Sequence, residues 1–184
     1  MRIIAGRLKG RRLQGPPREG VRPTSDRLRE TLFNVIATRV SNARVLDGFA
    51  GTGALGLEAL SRGATHVTFV EHNPHALRVL RANVGTCGVE NACAIIRGDF
   101  IGLAAHVAER GTFDLVLLDP PYDFRQVSEV LTEAATLLAQ NGLVVLEHSR
   151  RRADVPADAA TLRRRRTLTA GDSALAFYGR PDEE

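Results

Sequence analysis

Val45-Leu46-Asp47-Gly48-Phe49-Ala50-Gly51-Thr52-Gly53-Ala54-Leu55-Gly56 places a glycine-rich turn between a short aliphatic run and a segment rich in alanine and leucine. A turn of this kind joins a strand to a helix, and Gly51 and Gly53 let backbone approach a ligand closely. Gly51, Gly53 and Gly56 also fit G-x-G-x-x-G, which alone suggests a dinucleotide. Asp47 argues the other way. A carboxylate at the strand end sits poorly beside a pyrophosphate, whereas it complements a ligand bearing an ammonium and a sulfonium. S-adenosylmethionine is such a ligand.

Outward from this turn, short aliphatic or β-branched runs alternate with amphipathic segments. Strands are expected at 44–49, 65–71, 93–97, 113–119 and 142–148, and helices at 53–61, 74–84, 100–109 and 125–139. Such alternation means a parallel sheet with helices on both faces, a doubly wound (Rossmann-like) α/β architecture. The end differs, because 162–168 and 174–178 read as strands joined only by Thr169-Ala170-Gly171-Asp172, a closing antiparallel hairpin. Upstream, Thr24, Ser25 and Asp26 offer N-caps to a helix whose apolar stripe is Leu28, Leu32, Val35 and Ile36.

In an open α/β sheet, ligands bind at the carboxyl ends of the strands where the order reverses. Asp47, Glu71, Asp99 and Asp119 all stand at such ends, and a cationic nucleoside relieves the repulsion among them. Glu71 is placed to accept from ribose hydroxyls, and Asp99 with Phe100 to meet adenine. Phe49, Ala50, Gly51, Thr52 and Gly53 in the turn, with His72 and Asn73 after Glu71, complete the expected cofactor contacts.

Asp119-Pro120-Pro121-Tyr122 closes the fourth core strand and is the most specific signal in the chain. Two prolines stiffen the backbone, so the Pro120 carbonyl and the Asp119 carboxylate offer two fixed acceptors to one amino group. Held through both hydrogens, that nitrogen turns its lone pair out of conjugation. Tyr122 offers a face to the target base, and stacking of this kind is worth roughly 1–3 kcal/mol per base. The chemistry asks for no metal and no covalent nucleophile. Cys87 and Cys93 lie in no motif for an attacking thiolate and lack zinc or disulfide spacing.

Composition is consistent with a single α/β core. Apolar residues make up 43% of 184, aromatic residues 5%, and there is no Trp. The longest apolar runs, Leu115 to Leu118 and Leu143 to Leu146, are far short of the roughly 18 residues of a membrane span. The N-terminus lacks the apolar stretch of a secretory signal, so a cytoplasmic location is expected.

Residues 1–44 carry 11 Lys and Arg against 3 Asp and Glu, residues 45–149 carry 6 against 12, and residues 150–184 carry 8 against 6. A basic arm on an acidic core implies a polyanionic partner at the arm. The arm is expected to span 1–23, with a short hairpin pairing 2–4 and 11–14, ahead of a domain over 24–184. Arg2, Arg7, Lys9, Arg11, Arg12, Arg18 and Arg22 are its RNA-contacting candidates, joined by Thr24 and Arg27. Arg150 to Arg152 and Arg163 to Arg166 either touch RNA or flank a solvated loop.

Arg22-Pro23-Thr24-Ser25-Asp26-Arg27-Leu28-Arg29-Glu30-Thr31-Leu32-Phe33-Asn34, the turn from Asp47 to Ala59, and Asp119 to Tyr122 together resemble the RsmD family. These are bacterial 16S rRNA guanine-N2 methyltransferases of the class I superfamily, and the likeness covers nearly the whole chain. The tetrapeptide is shared with DNA amino methyltransferases and so specifies chemistry, while the N-terminal signature carries the family. The resemblance implies a seven-stranded sheet with one reversed strand, S-adenosylmethionine at Asp47, Gly51, Glu71 and Asp99, and a guanine in a partly assembled small subunit as target. A monomer is expected. Gly48 departs from the family, which often has the larger Cys there. Two other readings stand beside this one: a DNA amino methyltransferase, for which no inserted segment is large enough to be a target-recognition domain, and a non-catalytic nucleotide- or RNA-binding module.

Overall fold

The computed structural model describes residues 1–15 and 26–181. Arg18, Arg22 and Thr24, and the N-cap candidates Thr24 and Ser25, lie outside the described residues. The helices are α1 (Asp26–Val35), α2 (Ala37–Val40), α3 (Ala54–Ser61), α4 (Pro74–Cys87), α5 (Ala104–Ala108) and α6 (Val127–Leu137). The strands are β1 (Arg44–Asp47), β2 (His66–Glu71), β3 (Cys93–Arg97), β4 (Phe113–Leu118), β5 (Leu138–Ser149), β6 (Asp158–Ala159), β7 (Leu162–Ala170) and β8 (Ser173–Gly179).

One sheet runs β3-β2-β1-β4-β5-β8-β7-β6. Neighbours from β3 to β5 pair in parallel, and β8 then returns antiparallel to β5. The order reverses at β1, with β2 on one side and β4 on the other, which opens a crevice at their carboxyl ends. The doubly wound sheet and its closing hairpin are as the sequence implies. The sheet has eight strands among the described residues, because Asp158–Ala159 adds a two-residue edge to β7.

β4 is buried on both faces apart from Asp114, the near-continuous apolar run of a central parallel strand. One apolar layer joins α1, α3 and α4 to the face carrying Val45, Phe69 and Leu117. The other joins α5 and α6 to the face carrying Leu46, Val116 and Leu146. α4 has its ends written in the sequence: Asn73 Oδ1 accepts from the His75 and Ala76 amides, Pro74 opens the first turn, and Gly88 closes it in the left-handed region.

Several expected bounds shift, and one residue of the apolar stripe changes. The helix expected over 100–109 starts only at Ala104, because Phe100 is drawn into the core and the chain turns before it can coil. The strand expected over 142–148 starts at Leu138, directly after α6, where Leu138 pairs with Phe113. Val35 leaves the stripe at 36% exposed, and Phe33 takes its place, since the inward face of α1 follows Leu28, Leu32, Phe33 and Ile36.

Residues 1–15 form the expected hairpin, bridged at Arg2 and Arg12, and pack onto α3 through Ile3, Leu8 and Leu13. What holds it there is a buried carboxylate. Glu58 accepts from the Ile4 amide at 2.8 Å and the Ala5 amide at 3.0 Å, and pairs with Arg62 at 2.7 Å and with the buried Arg29 at 3.8 Å. Arg29 in turn donates to the Arg2 carbonyl at 2.6 Å and to Asp26 at 3.0 Å. Ser61 adds a further tie, accepting from the Leu8 amide at 3.0 Å.

Breaking one side of a buried charge pair costs more than the pair itself contributes, because the other charge stays behind without its partner. Glu58→Ala is therefore expected to cost about 3–5 kcal/mol of stability, read from denaturant unfolding. A loss below about 1 kcal/mol, the range of an exposed pair, would show that the hairpin is held by its apolar contacts alone.

Candidate active site

The carboxyl ends of β1, β2 and β4 bring the acidic residues together. Asp47 is the last residue of β1 and is 1% exposed. Its Oδ2 accepts from the Gly56 amide at 3.0 Å, in the first turn of α3. Its Oδ1 has no hydrogen-bond partner among the described residues. Burial pushes this carboxyl up to about 7, the Gly56 hydrogen bond opposes the rise, and the nearby charges of Asp119 and Glu71 add to it. A buried acid with one oxygen unanswered and acidic neighbours is a site that a cation completes.

The turn after Asp47 is strapped down from β2. Glu71 Oε2 accepts from the Gly51 amide at 2.7 Å, and Oε1 accepts from the Asn73 amide at 2.7 Å. Carboxylate oxygens carry about four lone-pair sites between them, so these two bonds leave room for a hydroxyl. The Ala50 amide donates to the Val70 carbonyl at 3.0 Å, and Gly53 turns with φ 80°. A Cβ on Gly53 would lie 2.4 Å from a Leu80 methyl, so both backbone shape and space require glycine there.

Behind the turn, Phe49 stacks on Phe100 with ring centroids 5.8 Å apart and meets Phe124 edge-on at 5.4 Å. Phe100 is 3% exposed. Its ring and Leu118 fill the space beside Gly48, where a Cβ would come within 2.8 Å of both. Asp99 is exposed and stands two residues beyond the end of β3. His72 is exposed beside Glu71, while the Asn73 side chain is engaged in capping α4.

Asp119 follows β4 directly, next to Pro120, which is buried, and Pro121, whose carbonyl accepts from the Phe124 amide at 2.9 Å. Tyr122 is 47% exposed. Its hydroxyl lies 2.9 Å from Ser173 Oγ, which donates to Glu147 Oε1 at 3.1 Å. Sequence reasoning missed Glu147 and Ser173. The signal for Glu147 was an acid closing a fifth aliphatic run. Nothing in the sequence marked Ser173.

Asn83, also missed, is fully buried on α4. Its Oδ1 accepts from the Gln14 amide at 2.8 Å, and its Nδ2 donates to the Thr52 carbonyl at 2.9 Å and to the Gln14 carbonyl at 3.2 Å. The basic hairpin and the glycine turn thus share one side chain.

Of the expected RNA contacts, Arg2, Arg7, Lys9, Arg11, Arg12 and Arg27 are all exposed. Arg7 donates to the Leu60 carbonyl and Arg11 to the Thr86 carbonyl, so part of their capacity is spent on the body of the protein.

The family model described as conserved hypothetical protein 95, the RsmD family, matches residues 1–179. The chain belongs to the RsmD family. Over 181 residues it is 35% identical to the Bacillus subtilis protein named "Putative rRNA methyltransferase YlbH", across 97% of this chain and 98% of that one. Over 143 residues it is 42% identical to ribosomal RNA small subunit methyltransferase D of Escherichia coli K12, across 77% of this chain and 68% of that one. This RsmD-family chain also superposes on the solved structure "Putative methyltransferase yhhF from Escherichia coli" with a TM-score of 0.83 and 33% identity, across 100% of this chain and 99% of that chain. The class I methyltransferase fold read from the sequence is therefore the fold of this RsmD-family member.

Asp47 makes stability depend on pH in a definite direction. Its folded value lies above the ordinary one near 4, so the folded protein holds a proton that the unfolded chain releases. The ligand-free protein is expected to lose stability, relative to Asp47→Asn, as pH rises from about 4 to about 7, and to level off above. Urea titrations of both proteins across this range check it. A constant difference between the two would mean that Asp47 is not held as an acid.

Proposed function

We propose that this protein transfers a methyl group from S-adenosylmethionine to the exocyclic N2 of a guanine in 16S rRNA, in a partly assembled small subunit in the cytoplasm. The observation that carries this reading is the buried Asp47, with one unanswered oxygen, next to Asp119 at the head of Asp119-Pro120-Pro121-Tyr122. The names of its relatives support rRNA as the substrate class.

Bound S-adenosylmethionine supplies an electrophilic methyl group on a positively charged sulfur. The chain's residues supply the rest. Asp47 answers the cofactor's positive charge, and Glu71 accepts from ribose hydroxyls while it holds the Gly51 amide. Gly51, Thr52 and Gly53, with Phe49 and Ala50, shape the cradle, and His72, Asn73, Asp99 and Phe100 border the nucleoside. The Asp119 carboxylate and the Pro120 carbonyl take the two hydrogens of the guanine amino group and fix its lone pair towards the methyl. Tyr122 presents its exposed ring to the base. Stacking there offsets part of the few kcal/mol needed to extrude a paired base.

Residues 1–23 serve as the RNA-binding arm in this reading, with residues 24–184 as the methyltransferase domain. The exposed Arg2, Lys9 and Arg12 are the freest to neutralise phosphate.

Nucleoside mass spectrometry of rRNA and DNA from cells with and without the gene tests the reading. Loss of N2-methylguanosine at one site of 16S rRNA is expected, and loss of a methylated base from DNA instead would replace it with the DNA amino methyltransferase. In vitro, Asp119→Ala should slow single-turnover transfer by about a hundredfold or more with little change in cofactor affinity. Equal losses in both would move Asp119 to the cofactor. Replacing Arg2, Lys9 and Arg12 together by Ala should weaken RNA binding and lower the salt slope by up to about three, with cofactor titration unchanged. A collapse of cofactor binding would remove the arm from RNA recognition.

A further inference from the structure

The hydrogen bonds behind Tyr122 run in one direction. A carboxylate accepts and does not donate, so Glu147 takes the single hydroxyl proton of Ser173, and Ser173 Oγ accepts from the Tyr122 phenol. The three residues come from three parts of the chain. Tyr122 lies in the loop after β4, Glu147 near the end of β5, and Ser173 opens β8.

Their meeting is fixed by register. Glu147 pairs with Leu175 and Ser149 with Ser173, so Glu147 and Ser173 are diagonal neighbours on one face of an antiparallel ladder. The Arg150 amide donates to the Asp172 carbonyl at 2.8 Å and closes that ladder just beyond Ser173. Leu118 pairs with Leu146, which brings Asp119 and Glu147 to adjacent strand ends. Glu147 is 5% exposed, whereas Tyr122 is 47% exposed. Tyr122 is thus held at its polar tip by a sheet-borne pair, the half-buried Ser173 and the buried Glu147, while the residue as a whole stays open to solvent.

We infer that Ser173 and Glu147 are positioning residues that hold Tyr122 ready for the acceptor base. This rests on the proposed role of Tyr122 as the base platform. A tyrosine on an exposed loop otherwise samples several rotamers, and each must be given up when the base stacks. A bond at the para position removes that freedom beforehand and leaves the ring free for stacking. A phenylalanine would offer the same face without the tether. This gives the closing hairpin, remote in sequence from the tetrapeptide, a direct part in orienting the substrate.

The test is a double-mutant cycle in the full-length protein: Tyr122→Phe, Ser173→Ala, and the two combined, with Ser173→Thr and Glu147→Gln alongside. Single-turnover methyl transfer to 16S rRNA is measured at saturating S-adenosylmethionine, and cofactor affinity by calorimetry. Each of Tyr122→Phe and Ser173→Ala should slow transfer by about three- to tenfold, the span of one hydrogen bond. The combined variant should be no slower than the slower single one, Ser173→Thr should keep the wild-type rate, and cofactor affinity should not change. Losses that multiply in the combined variant, or a Ser173→Ala rate equal to wild type, would overturn the inference while leaving the methyltransferase reading in place. Should Glu147→Gln fail to fold, the Ser173 and Tyr122 arms decide alone. A wild-type protein that binds the cofactor yet yields no N2-methylguanosine would overturn the proposed function, and this inference with it.

Discussion

Desolvation of a single carboxylate is the constraint around which the rim of this sheet is organised. Asp47 sits at the end of β1 with almost no exposure, one oxygen on the Gly56 amide and the other unanswered, with Asp119 and Glu71 near enough to raise its proton affinity further. An apolar residue there would be cheaper for the fold alone, because burying an unpaired charge is costly. The arrangement becomes favourable when a positive charge lies against it. The neighbouring features serve the same end: Glu71 pins the turn, glycine admits the close bend at position 53, and the reversal of strand order at β1 opens the space.

Much of this architecture was legible in the sequence because parallel strands buried on both faces leave near-continuous apolar runs, as β1, β2 and β4 do, while the edge strand β3 is mostly half-buried. Boundaries were less legible where packing overrides propensity. Phe100 belongs to the core rather than to a helix, and Leu138 joins β5 because Phe113 is there to pair with it. The buried charges on the helices were not legible. Arg29 and Glu58 look like solvated helix positions, yet both lie buried where the hairpin docks against α3. The candidate site divides in the same way. Acids that end consecutive strands announce themselves, whereas the contact of Ser173 with Tyr122 depends on the register of two antiparallel strands, which no local pattern encodes.

Gly48 shows how closely the back of the turn is packed. Phe100 and Leu118 occupy the volume that a Cβ at position 48 would need. Phe100 also stacks on Phe49, so the back wall of the turn is aromatic. At native packing density even one added carbon at position 48 would have to displace a ring or a leucine methyl.

Asn83 gives the first fourteen residues a consequence beyond their charge. Its amide is shared between Gln14 and Thr52, with donors and an acceptor each committed, so neither a leucine nor an aspartate could serve both sides. Free energies of substitution in the chain's leading segment and in the turn at Thr52 are consequently coupled rather than additive. Trimming that leading segment would keep the bond to Thr52 but remove both Gln14 partners of the Asn83 amide, so the side chain that braces the backbone between Gly51 and Gly53 would lose its own anchor.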